Sequence, residues 1–258
     1  MISQPDIHIP YHPKNQLNSV TLNSSGLITM FIKFIIYGVA IVGLAQFLML
    51  QVMKEEQGMK FSEDSAVETL QSVLLLFSGI ALTYGIAVYK NWRPLLVLIA
   101  EFLFVSLVRE QDAYLDLHYF DGAWQTIVIL SLPFPIYFAI IRRKKLMDNL
   151  KVYTSLFAFG IMIAGFLTTY IFSRLYGRKV FWMAAMENGY MRDVKNISEE
   201  SLETYGYLLI FIASVELIFL IRRLDVRSKN VIKVASNSDA ATFKIVQQES
   251  KQYHSSLN

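Results

Sequence analysis

Six long apolar blocks, most of about twenty residues, dominate this sequence of 258 residues. Blocks of that length predict transmembrane helices, because about 20 residues rising about 1.5 Å each cross the hydrocarbon core. The alternation of a membrane β-barrel is missing, so we predict an all-α polytopic bundle of six transmembrane helices. The third block needs a few flanking residues to cross. The blocks cover residues 27–53, 67–89, 94–108, 124–141, 152–177 and 204–221.

The composition supports a membrane location and excludes several functional classes. Hydrophobic residues make up 54% and charged residues only 17%, against about 25% charged in soluble domains. Cysteine is absent, which excludes disulfides, thiolate metal sites and cysteine nucleophiles. A net charge of +3, divided between two sides of a membrane, does not indicate a nucleic-acid partner. The first 28 residues lack the pattern of a removable signal peptide.

The charged loops alternate between basic and acidic, which predicts the orientation. We expect both termini in the cytoplasm and the acid-rich loops in the periplasm, as in a multi-pass protein of a bacterial inner membrane. Residues 1–26 then form a polar cytoplasmic segment, 27–222 the transmembrane domain and 223–258 a mobile cytoplasmic tail. The basic side contains Lys90, Arg93, Arg142, Arg143, Lys144, Lys145, Lys151, Arg222, Arg223, Arg227 and Lys229. The acidic side contains Glu55, Glu56, Glu63, Asp64, Glu68, Glu110, Asp112, Asp116, Asp121, Glu187, Asp193, Glu199, Glu200 and Glu203.

A polar stripe begins the second predicted helix. Asp64, Glu68, Gln71 and Ser78 fall on one face at helical spacing. One interpretation is a capping box, in which Ser65 and Glu68 stabilise the first turn. The other is an inward-facing row of ligands or hydrogen-bond partners for a functional site.

The third predicted helix carries an intramembrane acid and a charged end. If the helix continues to Asp116, then Asp112, Asp116 and Arg109 lie within about 80° of Glu101, and Glu110 lies opposite. A salt bridge at the membrane rim would explain Arg109 and Asp112. A site that combines them with Glu101 is the functional alternative.

Glu101, Glu216 and Lys33 are ionisable residues inside apolar blocks. Glu101 lies near mid-membrane, where an ionised carboxylate costs at least about 2.5 kcal/mol, so it is a functional candidate or a protonated hydrogen-bond donor. Glu216 and Lys33 lie at similar depths in the sixth and first blocks. We interpret them as a structural pair, although Lys33 can also snorkel to the interface.

The sequence predicts no metal ion and no cofactor. Only His118 lies near the acidic cluster, so a three-histidine zinc site is unavailable. A hard cation held by carboxylates is the alternative that stays open, with Asp64, Asp112, Asp116 and Asp121 as its ligands. Nucleotide-binding and serine-hydrolase motifs are missing.

The acids before the second helix and after the third form a recognisable pattern over about residues 60–125. It resembles a group of small polytopic bacterial inner-membrane proteins known mainly as uncharacterised, a resemblance that implies location and no activity. Alkaline-ceramidase-like hydrolases also place acids before an early helix, but their metal-binding histidines have no match here. The pattern comprises Glu63, Asp64, Glu68, Gln71, Arg109, Glu110, Asp112 and Trp124.

Three functions fit these features. The first is a non-enzymatic accessory, assembly or sensory protein that binds another membrane protein. The second is an enzyme that acts on a lipid or lipid-linked substrate at the outer leaflet. The third is a proton- or cation-coupled transporter with Glu101 as the relay. The candidate catalytic residues of the enzyme are Asp64, Glu68, Arg109, Asp112 and Asp116, and the intramembrane polar candidates are Glu101, Gln71, Glu216 and Lys33.

Overall fold

The structure is a computed structural model that describes the backbone of residues 24–58, 60–61 and 65–255, and side chains from residue 26 to 226 and at 229 within those ranges. The predicted N-terminal segment and the candidate Asp64 therefore lie outside the described residues, apart from the start of the first helix. The chain divides into two compact units, Met1–Phe47 and Leu48–Asn258. In the first unit the described residues are helical, and all of the site described below belongs to the second.

The described part of the chain is helical, with no strands. The prediction of an all-α fold is thus confirmed. The α-helices are α1 (Ser24–Lys54), α2 (Ala66–Val88), α3 (Arg93–Arg109), α4 (Asp112–His118), α5 (Ala123–Ser131), α6 (Pro133–Ile141), α7 (Arg143–Thr154), α8 (Phe157–Leu167), α9 (Ser173–Tyr176), α10 (Lys179–Met186) and α11 (Arg192–Ser255). A π-helical turn, Thr168–Phe172, joins α8 to α9, and a 3₁₀ turn, Glu187–Gly189, precedes α11.

Five helical segments within the described residues are long and apolar enough to cross a membrane. Each corresponds to one predicted block. The third predicted block forms α3, whose 17 residues fall just short of that length. The five segments are Gly26–Lys54, Ala66–Val88, Ala123–Ile141, Phe157–Tyr176 and Arg192–Val226.

Local sequence signals account for several helix ends. The Ser65 side chain accepts a hydrogen bond from the Glu68 backbone N–H at 3.3 Å, which confirms Ser65 as the N-cap of α2. Pro94 lies in the first turn of α3, where its missing N–H breaks no helical bond. The fourth block is interrupted at Leu132, immediately before Pro133, because proline cannot donate to the helix ladder.

Helix α11 is the central element of the second unit, and it packs against α2 and α8. Leu75, Leu96, Leu103, Ile210 and Leu217 are fully buried in this core. The core contains α3 as well, since α3 packs along α2.

The contact between α8 and α11 depends on glycine. A Cβ on Gly206 would collide with the Thr169 hydroxyl and lie 2.9 Å from the Gly165 carbonyl oxygen. A Cβ on Gly165 would lie 2.8 Å from the Gly206 carbonyl oxygen. The two backbones therefore approach as closely as in other small-residue helix contacts of membrane proteins.

Two helices differ from the sequence prediction. Helix α3 ends at Arg109 and α4 begins at Asp112, so the predicted continuous helix to Asp116 is wrong. The backbone leaves the helical conformation at Gln111 (φ −108°, ψ 19°), which resets the direction of every later side chain. Helix α11 begins at Arg192, three turns before the predicted start at Thr204, and continues without a break to Ser255 through the predicted tail.

Candidate functional site

A buried carboxylate on α11 joins three segments at one end of the bundle. Glu203 is 1% exposed. It forms ion pairs with Arg174 of α9 at 3.1 Å and with Arg109 of α3 at 3.6 Å. The Ser173 hydroxyl donates a further hydrogen bond to Glu203 at 3.3 Å. Because these partners come from α3 and α9, Glu203 fixes the relative positions of α3, α9 and α11.

Each arginine has a second carboxylate partner. Arg109 contacts Glu110 at 2.8 Å, and Arg174 contacts Glu199 at 3.2 Å. The side chain of Arg109 is 30% exposed and that of Arg174 is 42% exposed, whereas their carboxylate partners are at most 10% exposed. The guanidinium groups thus border solvent and the carboxylates lie behind them.

Tyrosine hydroxyls extend the network into the core. Tyr207 donates to the Glu110 carboxylate at 2.6 Å, and Tyr170 donates to the Ser106 hydroxyl at 2.6 Å. The rings of Tyr170 and Tyr207 meet edge to face, with centroids 6.3 Å apart. Buried polar groups with such partners hold one arrangement of the surrounding helices.

A second group of polar residues links α2 to α11. The amide nitrogen of Gln71 donates to the Glu200 carboxylate and to the Thr204 hydroxyl, each at 3.0 Å. Gln71 is fully buried, and its amide oxygen has no hydrogen-bond partner among the described residues. The inward-facing interpretation of the α2 stripe therefore holds for Gln71, alongside the capping role of Ser65.

These side chains surround an open cavity of about 730 Å³, which we call the Arg–Glu cavity. Its charged lining contains five carboxylates and three guanidinium groups, with Trp124 and Asn196 among the other walls. The charged lining residues are Glu68, Glu110, Asp112, Glu200, Glu203, Arg109, Arg174 and Arg192.

The local backbone explains how Arg174 reaches this cavity. The π-helical turn Thr168–Phe172 lies immediately before α9, where one wider turn changes the direction of the following side chains. Thr169 within the turn donates to the Glu203 backbone carbonyl at 3.3 Å. The turn thereby packs on α11 at the height of the ion pairs.

The structure brings together some of the predicted catalytic candidates. Glu68, Arg109 and Asp112 line the Arg–Glu cavity. Asp116 does not line this cavity and instead caps the start of α5, because its carboxylate accepts from the backbone N–H groups of Gly122 and Ala123 at 3.2 and 3.1 Å. Asp64 lies outside the described residues.

The intramembrane candidates occupy different places. Gln71 belongs to the site, as described above. Glu101 does not line the Arg–Glu cavity, and its carboxylate accepts a hydrogen bond from the Ser131 hydroxyl of α5 at 2.6 Å. Glu216 is buried on α11, and Lys33 lies on α1 in the first unit, so their pairing stays a prediction.

Within the described ranges, no three His, Cys, Asp or Glu residues are grouped so that they could hold a metal ion. Asp112, Asp116 and Asp121 border a shallow hollow together with His118, and the fourth predicted cation ligand, Asp64, is not described.

The sequence analysis missed Arg174, Glu199, Glu200, Glu203 and Tyr207 as site residues. Glu203 was counted only as a loop acid, because the sixth helix was expected to start after it. The i,i+4 spacing of Lys195, Glu199 and Glu203 is a helical signal that extends the helix toward its true start, and Lys195 does pair with Glu199.

The lining limits the chemistry that this cavity can offer. Among the described residues that line it there is no serine, threonine, cysteine, histidine or lysine. Carboxylates and guanidinium groups remain, and these recognise charged ligands through strong hydrogen bonds.

No protein-family model matches the chain, and comparison with curated proteins and with solved structures gives no significant match. The function must therefore be argued from the site itself.

Proposed function

We propose that this chain is a bacterial inner-membrane protein with a sensory or accessory role, and that the Arg–Glu cavity faces the periplasm and binds the molecule to which it responds. The observation that carries the proposal is the extent of α11. Its first turns supply Glu200 and Glu203 to the cavity and Glu199 to the Arg174 ion pair, and the same helix continues to Ser255. At about 1.5 Å per residue the helix is roughly 95 Å long, far more than the roughly 30 Å hydrocarbon core.

A continuous helix offers a physical route from the cavity to the opposite side of the membrane. Glu203 is held by two arginines from other segments. A charged ligand that competes for either arginine changes the forces on α11, and α11 carries the change past its membrane-spanning part. Such a route requires two arrangements of the network that the ligand binds unequally.

Six spans and cytoplasmic termini complete the proposal. The Lys145 ammonium donates to the Asn91 side chain at 2.9 Å, which joins the α2–α3 turn to α7 at the basic end. Arg109 meets Glu203 at the acidic end. Because α3 runs from the first of these contacts to the second, we infer that it crosses the bilayer despite its 17 residues. The basic end then faces the cytoplasm.

Single-cysteine labelling tests this orientation, since the sequence contains no cysteine. A Cβ on Gly189 at the acidic end meets no atom within 4 Å, and Lys144 at the basic end is exposed. We expect a membrane-impermeant maleimide to label Gly189→Cys in intact cells and to label Lys144→Cys only after lysis. The reverse pattern would contradict the proposed orientation.

A helix break beyond the membrane tests the sensory role. Proline inside a helix costs about 3 kcal/mol and interrupts it, so Ser228→Pro should uncouple the far part of α11 while Ser228→Ala keeps it intact. In a strain from which the gene is deleted, we expect expression of Ser228→Ala to restore the wild-type transcript profile. We expect Ser228→Pro to leave the profile unrestored, although that variant reaches a normal level in the membrane. Full restoration by Ser228→Pro would exclude transmission along α11.

One observation favours the enzymatic alternative. Glu203 forms direct ion pairs with two arginines, whereas Glu200 accepts a hydrogen bond from the neutral Gln71 amide, so two neighbouring carboxylates occupy different environments. Acid–base pairs depend on such differences. If Glu200→Gln abolishes function while Ser228→Pro retains it, the enzymatic alternative is the better one. The transporter alternative is weaker, because Glu101 is outside the cavity and bonded to Ser131.

A further inference from the structure

An apolar groove of about 470 Å³ runs between α2 and α3 below the Arg–Glu cavity. Leu76, Ile80 and Phe104 in its walls are each about half exposed, so the groove opens to the bilayer. Its lining is nearly all hydrocarbon, with only the Thr83 hydroxyl and the Tyr84 phenol as polar side-chain groups. An acyl chain matches this lining, because it places no unsatisfied polar group there.

A smaller hollow of about 300 Å³ connects the groove to the Arg–Glu cavity. It shares Leu76 and Leu107 with the groove. It shares Glu68, Glu110 and Asp112 with the cavity. The three spaces are therefore neighbours along α2 and α3, and the series is apolar at one end and charged at the other, as a lipid is.

The charges that remain after internal pairing indicate the headgroup. Arg109 and Arg174 are neutralised by Glu110, Glu199 and Glu203. Among the described residues, Glu200 and Asp112 form no direct ion pair with a basic side chain and Arg192 forms none with an acid, although all three line the cavity. Two carboxylates complement an ammonium group, and an exposed guanidinium complements a phosphate.

We propose that the cavity and groove together bind one phospholipid whose headgroup carries both a phosphate and an ammonium group. The acyl chain lies in the groove between α2 and α3, the phosphate contacts Arg192, and the ammonium group contacts Glu200 and Asp112. This inference rests on the proposed function, since it names the ligand of the same cavity.

The dimensions agree with a lipid of the outer leaflet. From Leu76 to Tyr84 the groove follows eight residues of α2, which is about 12 Å at 1.5 Å per residue. One leaflet contributes about half of the roughly 30 Å hydrocarbon core. The groove thus covers most of the depth of a single acyl chain, while the cavity lies at headgroup level.

Filling the groove is the first test. A Cβ on Gly79 meets nothing within 4 Å and projects where the groove lies, and Gly160 of α8 offers an equally open position outside it. We expect Gly79→Phe to lower the affinity of the full chain for added phosphatidylethanolamine at least about tenfold, since excluding a few methylenes costs that much. Gly160→Phe should bind like the wild type. Native mass spectrometry of the purified protein measures the lipid-bound fraction.

Removing the phosphate contact is the second test, and it uses an exposed residue that folding does not require. We expect Arg192→Gln to weaken phosphatidylethanolamine binding about tenfold, and Arg178→Gln, an exposed arginine outside the cavity, to leave it unchanged. The wild type should prefer phosphatidylethanolamine to phosphatidylglycerol with the same acyl chains, and Glu200→Gln should remove that preference.

The outcomes separate this inference from the proposed function. The lipid proposal is overturned if the wild type retains no lipid, if the two phenylalanine variants bind equally, or if phosphatidylglycerol binds as well as phosphatidylethanolamine. None of these results depends on the transcript profile of cells. Conversely, restoration of that profile by Ser228→Pro would overturn the sensory role and leave lipid binding intact.

Discussion

The two ends of the bundle use charge in different ways. At the basic end Arg142, Arg143 and Lys144 are exposed to solvent. At the acidic end Glu199 and Glu203 are buried behind arginines that they bind directly. Exposed charges contribute little to the free energy of folding, and their main effect is the electrostatic potential they create. Buried ion pairs require a defined arrangement of the helices around them. The comparison shows that the charges of the basic end are solvent-exposed, whereas those of the acidic end build the candidate site.

The largest expected effect is at the glycine contact that supports the acidic end. Gly206→Leu places a side chain where the Thr169 hydroxyl and the Gly165 backbone already lie, so α8 and α11 cannot dock. We expect little folded protein in the membrane. Gly160→Leu, which meets nothing within 4 Å, should accumulate normally. Immunoblots of membrane fractions compare the two, and equal amounts would show that the close approach is not required.

Breaking the buried ion pairs should have the next largest effect. Glu203→Gln leaves Arg109 and Arg174 with weaker partners in a site that is mostly buried, which costs about 3 kcal/mol. We expect a clearly lower midpoint of thermal unfolding in detergent. Replacing both Arg174 and Glu203 by leucine should cost less than the sum of the single changes, because no uncompensated charge remains. Strict additivity would mean that the pair does not interact in solution.

A neutral contact at the basic end should have a smaller effect. Asn149 is buried, and its side-chain amide donates to the Asn91 backbone carbonyl at 3.0 Å. Asn149→Ala removes this bond between α7 and the α2–α3 turn, at a cost of about 1 kcal/mol. The midpoint of thermal unfolding in detergent measures this loss. If Asn149→Ala lowered the unfolding midpoint as much as Glu203→Gln does, the two ends would not differ in how much their contacts stabilise the protein.

The smallest effect is expected for an exposed charge of the basic end. Lys144→Gln should change the free energy of unfolding by less than about 0.5 kcal/mol, as substitutions at exposed positions usually do. Its main consequence should be for the orientation of the chain, because lysine and arginine near the ends of membrane spans keep those ends in the cytoplasm. A stability loss above 1 kcal/mol would contradict this division of roles.

Helix location could be predicted from the sequence far better than helix ends. A run of apolar side chains must be helical in a bilayer, since each backbone group needs a partner within the segment. The start of α11 is determined by other interactions. Residues 192–203 are mostly polar. Lys195 and Glu199 pair locally at i,i+4, and Glu199 and Glu203 gain further stabilisation from arginines of α9 and α3. That stabilisation depends on segments distant in the sequence.

The site was only partly predictable for the same reason. The helical phase of α3 directs Glu110 away from Glu101, but it does not identify the partner there, Tyr207, which is 97 residues away. Helical spacing left an inward position for Gln71 open as one of two interpretations, but it did not identify the partner Glu200, 129 residues further on. A spacing of residue types carries no information about which distant residue lies opposite.

From the amino-acid order alone follow the helical class, the apolar spans and the separation of basic from acidic loops, because hydrophobicity and local propensity act within one segment. Which residues form the site became evident only from the packing of the helices. The glycine contact between α8 and α11, the π-helical turn before Arg174 and the end of α3 at Arg109 together decide which carboxylate meets which arginine. Those pairings are interactions across space, and packing alone determines them.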